Sequence, residues 1–313
     1  MTALYFRGMD GDKQSDGTAR KESVTDSKGV AKTDSEQFAG QLREQITYNG
    51  MSGSEISATV NTPWSRTTAT AKHSYGTVNA YMVRTASSVT RTAVTGGGEL
   101  TATKSTTFDP DSGMPLKEET DAAGESDCTI TEYAVNKDAW ILSLPKRVEK
   151  VSTACDATPK RTSDPKTTDV IADTRSSYDD QAYGKPPTKG DATRAERVTG
   201  YRSDGTAVLQ TVTTAKYDTL GRLTDSWNTK GTRTLHAEYT PAVGGPLTKM
   251  VETNALDHTT TTEYAPDWNV RTATTDPNGN RTELAYDGLG RLTDVWLADR
   301  VRDQAPTHRF EYK

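Results

Sequence analysis

Residues able to do chemistry are few and scattered. The four histidines, His73, His236, His258 and His308, do not pair at metal-ligand spacing, so each reads as an ordinary strand or turn residue. The run Asp276-Pro277-Asn278-Gly279-Asn280 opens like a calcium loop but lacks the distal glutamate, which leaves a hairpin turn as its reading. No nucleophile elbow, phosphate loop or dinucleotide fingerprint is present, and no glycosidase pair stands out among the 43 acidic residues. The tryptophans Trp64, Trp140, Trp227, Trp268 and Trp296 read as packing between adjacent strands, with a sugar platform as the alternative. If they act as a platform, Trp227 and Trp296 are the residues to test. The expectation is a chain that is not an enzyme and needs no metal or cofactor.

Cys128 and Cys155 lie 27 positions apart and neither belongs to a CxxC pair, which argues against zinc. Two readings stay open: unrelated thiols, or one disulfide closing a polar loop, with about 3–4 kcal/mol of loop entropy in its favour.

The elements that position these residues follow from composition. The 313 residues allow two or three ordinary domains or one large all-β body. Only 32% are apolar, against the usual share of about 45–50%. Thr accounts for 53 residues, a mediocre helix former and a good strand former. A wide antiparallel sheet with much of both faces wet fits this composition. The net charge of −5 gives no support for a nucleic-acid surface. No stretch approaches the roughly 18 apolar residues of a membrane helix, and Met1 to Asp12 contain no secretory signal core.

Along the chain, residues 1–45 read as a polar lead-in, loosely held over 1–33, with one short helix at Asp34–Leu42 where Phe38 and Leu42 share a face. Residues 46–199 alternate Thr- and Val-rich strand segments with loops at 152–169 and 185–190. Residues 200–313 repeat. Tyr217-Asp218-Thr219-Leu220-Gly221-Arg222-Leu223-Thr224-Asp225-Ser226-Trp227 and Tyr286-Asp287-Gly288-Leu289-Gly290-Arg291-Leu292-Thr293-Asp294-Val295-Trp296 are identical at nine of eleven positions. From Tyr217 through Tyr239, Tyr264 and Tyr286 to Tyr312 the spacings are 22, 25, 22 and 26, the signature of a repeat architecture. Within each unit the motif residues have structural roles. Asp218, Asp276 and Asp287 take the first position of a type I turn, and Pro277 presets φ at the second. Gly221, Gly279 and Gly290 close the turn at positive φ, while Arg222-Leu223 and Arg291-Leu292 open the return strand. Turns are expected near 218, 228, 240, 254, 265, 276 and 287, the rhythm of consecutive antiparallel strands. Gly124, with no complete motif around it, reads as a less demanding position.

These motifs, Tyr-Asp-x-x-Gly-Arg-Leu followed by Asp-Pro-x-Gly-Asn, resemble the YD repeats of the Rhs family. The match is strong over 200–313 and weaker over 46–199, and its Thr-rich style resembles actinobacterial members. The resemblance implies an all-β fold, an antiparallel YD-repeat ribbon forming part of a large spiral or barrel-like shell. It also implies a role in enclosing or presenting a C-terminal toxin or effector, in a secreted or cell-surface protein, as in Rhs and Tc toxins. Teneurins use a similar shell in adhesion. The alternative is a module that binds cell-surface glycans or a receptor. The family's self-cleaving core segment has no counterpart, so the chain reads as a fragment of a larger shell. Because such shells act where thiols oxidise, the resemblance favours joining Cys128 to Cys155.

Overall fold

The computed structural model describes residues 1–51 and 53–312. It is antiparallel β throughout, as the composition and the repeat predict, with one 3-10 turn at Glu36–Phe38. Among the described residues no helix is long and apolar enough to cross a membrane. The chain divides into two compact units, Met1–Thr174 with Gly200–Val208, and Arg175–Thr199 with Leu209–Lys313.

In the first unit the strands are β1 (Thr2–Tyr5), β2 (Ser23–Thr25), β3 (Ala31–Thr33), β4 (Leu42–Tyr48), β5 (Glu55–His73), β6 (Gly76–Ala93), β7 (Glu99–Phe108), β8 (Pro115–Ala122), β9 (Glu125–Asn136) and β10 (Ile141–Val151). From β4 to β10 each strand pairs antiparallel with its successor, and β1 pairs with β4. Strands β11 (Val170–Tyr178), β12 (Ala192–Tyr201) and β13 (Ala207–Tyr217) carry the chain from one unit to the other. The second unit then runs through β14 (Leu223–Asn228), β15 (Arg233–Thr240), β16 (Lys249–Asn254), β17 (Thr259–Ala265), β18 (Val270–Thr275), β19 (Arg281–Tyr286), β20 (Leu292–Trp296) and β21 (His308–Arg309). From β13 to β21 this is again a plain meander.

The low apolar content has a direct counterpart in the packing. The buried apolar positions of the second unit include the small Ala215, Ala237 and Ala273, with Tyr178, Leu284 and Trp296 as the larger members. On the face that Ala273 shares, Arg281 reaches both carboxylate oxygens of Glu263 at 2.8 and 2.9 Å and Glu283 at 3.0 Å, a charged row across β17, β18 and β19. Cross-strand pairs of this kind and Thr–Thr neighbours replace a thick apolar layer.

Two expectations for residues 1–45 are corrected. The short helix is reduced to the 3-10 turn at Glu36–Phe38. The Asp34 carboxylate accepts the N–H groups of Arg7 and Gly8 at 2.7 and 2.9 Å instead of capping a helix, and Ser35 makes no side-chain cap. Gly40 at φ +80° then turns the chain into β4, so Leu42 is a strand residue and does not share a helical face with Phe38. Nor is the lead-in loosely held: Phe6, Val24 and Phe38 form a small buried cluster, with the Phe6 and Phe38 rings 5.7 Å apart.

All seven expected turns are present, and six hairpins among the described residues share one design. The first residue donates its N–H to the carbonyl of the fifth, accepts the N–H of the fourth, and with its side-chain oxygen accepts the N–H groups of the third and fifth. These hairpins begin at Asp26, Asp218, Asn228, Asn254, Asp276 and Asp287. The fourth residue has φ between +58° and +88° and is glycine in every case except Asp257. Gly124 also sits at φ +83°, between Ala123 at +55° and the return strand, so it is as demanding as the motif glycines and not milder.

Asp257→Gly is therefore expected to raise stability by roughly 0.5–1 kcal/mol, the left-handed penalty of an L-residue less the extra entropy glycine loses. Gly290→Val is expected to cost at least about 1–3 kcal/mol, because a Cβ there also meets the Trp268 ring at 3.3 Å. Gly124→Val belongs in the same range. Denaturant melts of the three variants check the ranking; a destabilised Asp257→Gly or a neutral Gly290→Val contradicts it.

Candidate functional site

The repeat turn is the densest recurring arrangement of functional groups in the chain. In the first copy, Asp218 Oδ1 accepts the N–H groups of Leu220 and Arg222, both at 2.9 Å, and Oδ2 accepts Arg222 Nε at 2.6 Å. The Arg222 guanidinium lies over the Tyr239 ring at 4.4 Å, and the Tyr239 hydroxyl donates to the Leu223 carbonyl at 2.7 Å. In the second copy, Asp287 accepts the N–H groups of Leu289 and Arg291 and the Nε of Arg291, at 2.9, 3.0 and 2.8 Å. Arg291 lies over the Tyr312 ring at 4.6 Å, and Tyr312 donates to the Leu292 carbonyl at 2.9 Å. Each turn is thus clamped by a tyrosine from beyond its return strand, Tyr239 on β15 and Tyr312 just past β21. Tyr286 and Tyr217, which precede the turns, make the same reach to the carbonyls of Arg271 and Ala192. So does Tyr133 in the first unit, to Pro115.

Asp276 Oδ1 accepts the N–H groups of Asn278 and Asn280, with Pro277 between them and Gly279 at φ +82°. Its carboxylate is consumed by the turn. Asn228 and Asn254 do the same with an amide oxygen. The carboxyls of Asp218, Asp276 and Asp287 sit below their ordinary pKa. For Asp287 the Arg291 N–H is the main cause, and for Asp276 the Asn280 side chain. For Asp218, partial burial pushes upward but is outweighed by the Arg222 N–H and guanidinium. Among the described residues no group of three His, Cys, Asp or Glu side chains is placed to hold a metal ion.

Two groups of buried charges in the first unit had no sequence signature. Arg43 donates to Asp26 at 2.7 Å and to the carbonyls of Asn61 and Val30, while Arg91 pairs with Glu44 at 3.1 Å and with Ser27. Further along, Glu149 receives Arg161 at 2.9 and 2.8 Å and Arg147 at 3.0 Å, and Arg147 also grips Asp173. Asp173, more than any other neighbour, holds the Arg147 guanidinium above its usual pKa, as Glu149 does for Arg161. Arg43 and Glu44 are consecutive strand residues, and both are buried. An alternating in–out pattern hides that possibility from a reader of the sequence.

Cys128 and Cys155 are brought together as a disulfide, with Cα atoms 5.1 Å apart. The Lys117 ammonium donates to the Cys155 carbonyl at 2.8 Å, fixing the start of the 152–169 loop on β8. Of the tryptophans singled out, Trp296 is buried and donates its indole N–H to Gln304, and Trp227 lies under the Lys216 ammonium. The exposed ones are Trp140 and Trp268.

Comparison with known proteins bears on this repeat. A model of the RHS repeat matches residues 271–295, which contain the second Tyr-Asp turn and the Asp276 hairpin before it. Those residues carry an RHS repeat. Two solved structures resemble the fold of the chain. The crystal structure of TcdB2-TccC3 has 13% identity and a TM-score of 0.59, covering 84% of this chain and 17% of that one. The Tc holotoxin pore of Photorhabdus luminescens, carrying a TccC3 mutation, has 12% identity and a TM-score of 0.58, covering 84% and 16%. The chain therefore spans about a sixth of the length of the chains it matches. No curated protein sequence matches it.

Asp218, Asp276 and Asp287 have folded-state pKa values below the unfolded value of about 3.9, so their contribution is complete above that pH. It is lost as pH falls through the lowered values. Melting temperature is expected to drop on acidification below about pH 4, and the drop should be shallower in the Asp218→Asn/Asp287→Asn double variant. An acid limb unchanged by the double substitution argues against the turn carboxylates. Asp26→Ala, which leaves Arg43 buried and uncompensated, is expected to cost about 3–5 kcal/mol in a urea melt. A loss below about 1 kcal/mol means that the pair is solvated in solution.

Proposed function

We propose that this chain is a wall segment of a YD-repeat shell that encloses or presents a C-terminal effector and has no catalytic role of its own. The observation that carries the reading is the clamped hairpin. A unit in which each turn is fastened by a tyrosine from beyond its return strand builds a ribbon of indefinite length from local contacts. Its polar side chains are spent on the ribbon itself: Asp on backbone N–H groups, Arg on Asp and Tyr, Tyr on carbonyls. The RHS-repeat match and the likeness to structures of Tc toxin components support the same reading. Residues 200–313 are the clear repeats, 46–199 divergent ones, and 1–45 a lead-in that already contains one hairpin of the repeat type at Asp26. The Cys128–Cys155 bond fits a secreted or cell-surface setting. The outer face of such a wall is also where a glycan or receptor would be met.

The test uses the full-length protein that contains this sequence. Limited proteolysis is expected to spare a C-terminal segment while the shell is intact and to digest it once the shell is unfolded. A C-terminal segment cleaved as readily in the native protein as in the denatured one argues against enclosure. For the disulfide, thiol titration of secreted, denatured protein is expected to find no free thiol before reduction and two after it. Two free thiols before reduction overturn the pairing.

A further inference from the structure

Strands β5 and β6 run on past the neighbours that flank them. Their pairing extends from Ser57–Thr92 to His73–Gly76. Strand β4 accompanies β5 only as far as Val60, and β7 joins β6 only from Ser87 onward. Thr67 to Ala80 are exposed without a break, and no third strand lies beside them among the described residues. At about 3.3 Å per residue, Thr67–His73 carry the tip roughly 20 Å beyond the packed part of the unit. A two-stranded arm of this kind is marginally stable in water at best, so a partner strand is what it lacks.

The two edges of the arm differ. Strand β5 bulges at Thr68, whose hydroxyl donates to the Ala80 carbonyl at 3.2 Å, and a bulge blunts an edge. Strand β6 is regular from Gly76 to Ala80. The two-residue turn Ser74-Tyr75 makes His73 and Gly76 a hydrogen-bonded pair. By antiparallel alternation Val78 and Ala80 then bond to β5, and the backbone N–H and C=O of Thr77 and Asn79 point away from it. Open backbone groups on a regular edge are what an added strand pairs with.

Charge narrows the partner. From Ile56 to Gly98 the sequence has no Asp or Glu, although the chain has 43 of them. Lys72 near the tip and Arg84 at the base are exposed and make no ion pair among the described residues. Arg66 is shared with Asp111 at 3.3 Å. Two free cations are too few to hold a nucleic-acid backbone, and Tyr75 and Val78, the exposed large apolar residues of the arm, are too few to anchor it in a membrane. An acidic polypeptide in extended form uses both the open backbone and the cations.

We propose that the β6 edge at Thr77–Asn79 takes up an extended, acidic segment of another protein as a third strand, its backbone bonding to Thr77 and Asn79 and its carboxylates facing Lys72 and Arg84. The arm lies within the first unit, so the proposal stands apart from the shell reading.

The test is titration of the full chain with a peptide of alternating threonine and glutamate, with a threonine–lysine peptide as control. The acidic peptide is expected to bind saturably, and the basic one at least about tenfold more weakly. On binding, the amides of Thr77 and Asn79 are expected to pass from unprotected to protected in hydrogen exchange. Asn79→Pro, which removes an open N–H, is expected to weaken binding at least about tenfold, whereas Asn79→Ala, which keeps it, binds within about twofold of the parent. Lys72→Glu, on an exposed side chain, is expected to leave the melt unchanged and to weaken binding at least about fivefold, a difference that shrinks at high salt. The proposal is overturned if the acidic peptide does not bind up to about 1 mM, if it binds with Thr77 and Asn79 still exchanging freely, or if Lys72→Glu binds as the parent does. It is also overturned if a second copy fills the edge, seen as self-association that Asn79→Pro abolishes. Thr77 and Asn79 amides already protected in the full-length protein that contains this sequence overturn it as well, because the protein then covers its own edge.

Discussion

A side-chain oxygen at the first position of a hairpin, accepting the N–H groups two and four residues on, is the contact on which the rest of this structure depends. It is made by carboxylates at Asp26, Asp218, Asp276 and Asp287 and by amides at Asn228 and Asn254. The bond fixes the turn length, and the turn length fixes which residues face each other across the ladder. Register needs that external control because the hydrophobic pattern exerts little. A one-residue slip exchanges faces, and in a Thr-rich strand both faces are nearly alike. The tyrosine clamp adds a second check, since its hydroxyl finds a carbonyl on the preceding strand only in the correct register.

With register set at the turns, the sheet can do without a deep core. Alanines take three of the buried apolar positions of the second unit, and the energetic weight shifts to cross-strand charge rows and to the backbone ladder. The first unit is built differently. There the lead-in folds over β4, and buried Arg–carboxylate pairs join elements that an apolar core would otherwise hold. Such pairs contribute modestly to net stability, but removing one partner is costly. They therefore specify one arrangement more than they strengthen it.

The second unit was legible in the sequence because its signals are local. Tyr-Asp-x-x-Gly-Arg can be read residue by residue, and each symbol has one backbone consequence. The same logic was present at Asp26-Ser27-Lys28-Gly29, but without the flanking Tyr and Arg it passed as polar linker. The Phe6, Val24 and Phe38 cluster was invisible because its members are spread over 33 positions among polar residues. The helix expected at 34–42 was cut to one 3-10 turn for a related reason: Asp34 found long-range N–H partners at Arg7 and Gly8, which no local rule anticipates. The buried Arg–carboxylate clusters and the exposed Trp140 likewise depend on the tertiary neighbourhood, whereas Trp296, read as packing with a platform as the alternative, is buried against its own C-terminal loop.

The central claim, that the turn carboxylate holds the hairpin, is tested most directly by amide hydrogen exchange at Arg222 and Arg291, each measured against its intrinsic rate. At neutral pH both N–H groups are predicted to be protected as strongly as interior ladder amides of β14 and β19. In Asp218→Ala and Asp287→Ala chains that protection is predicted to vanish at the altered turn alone. Exchange at the intrinsic rate in the parent chain, or protection that survives removal of the carboxylate, would contradict the account.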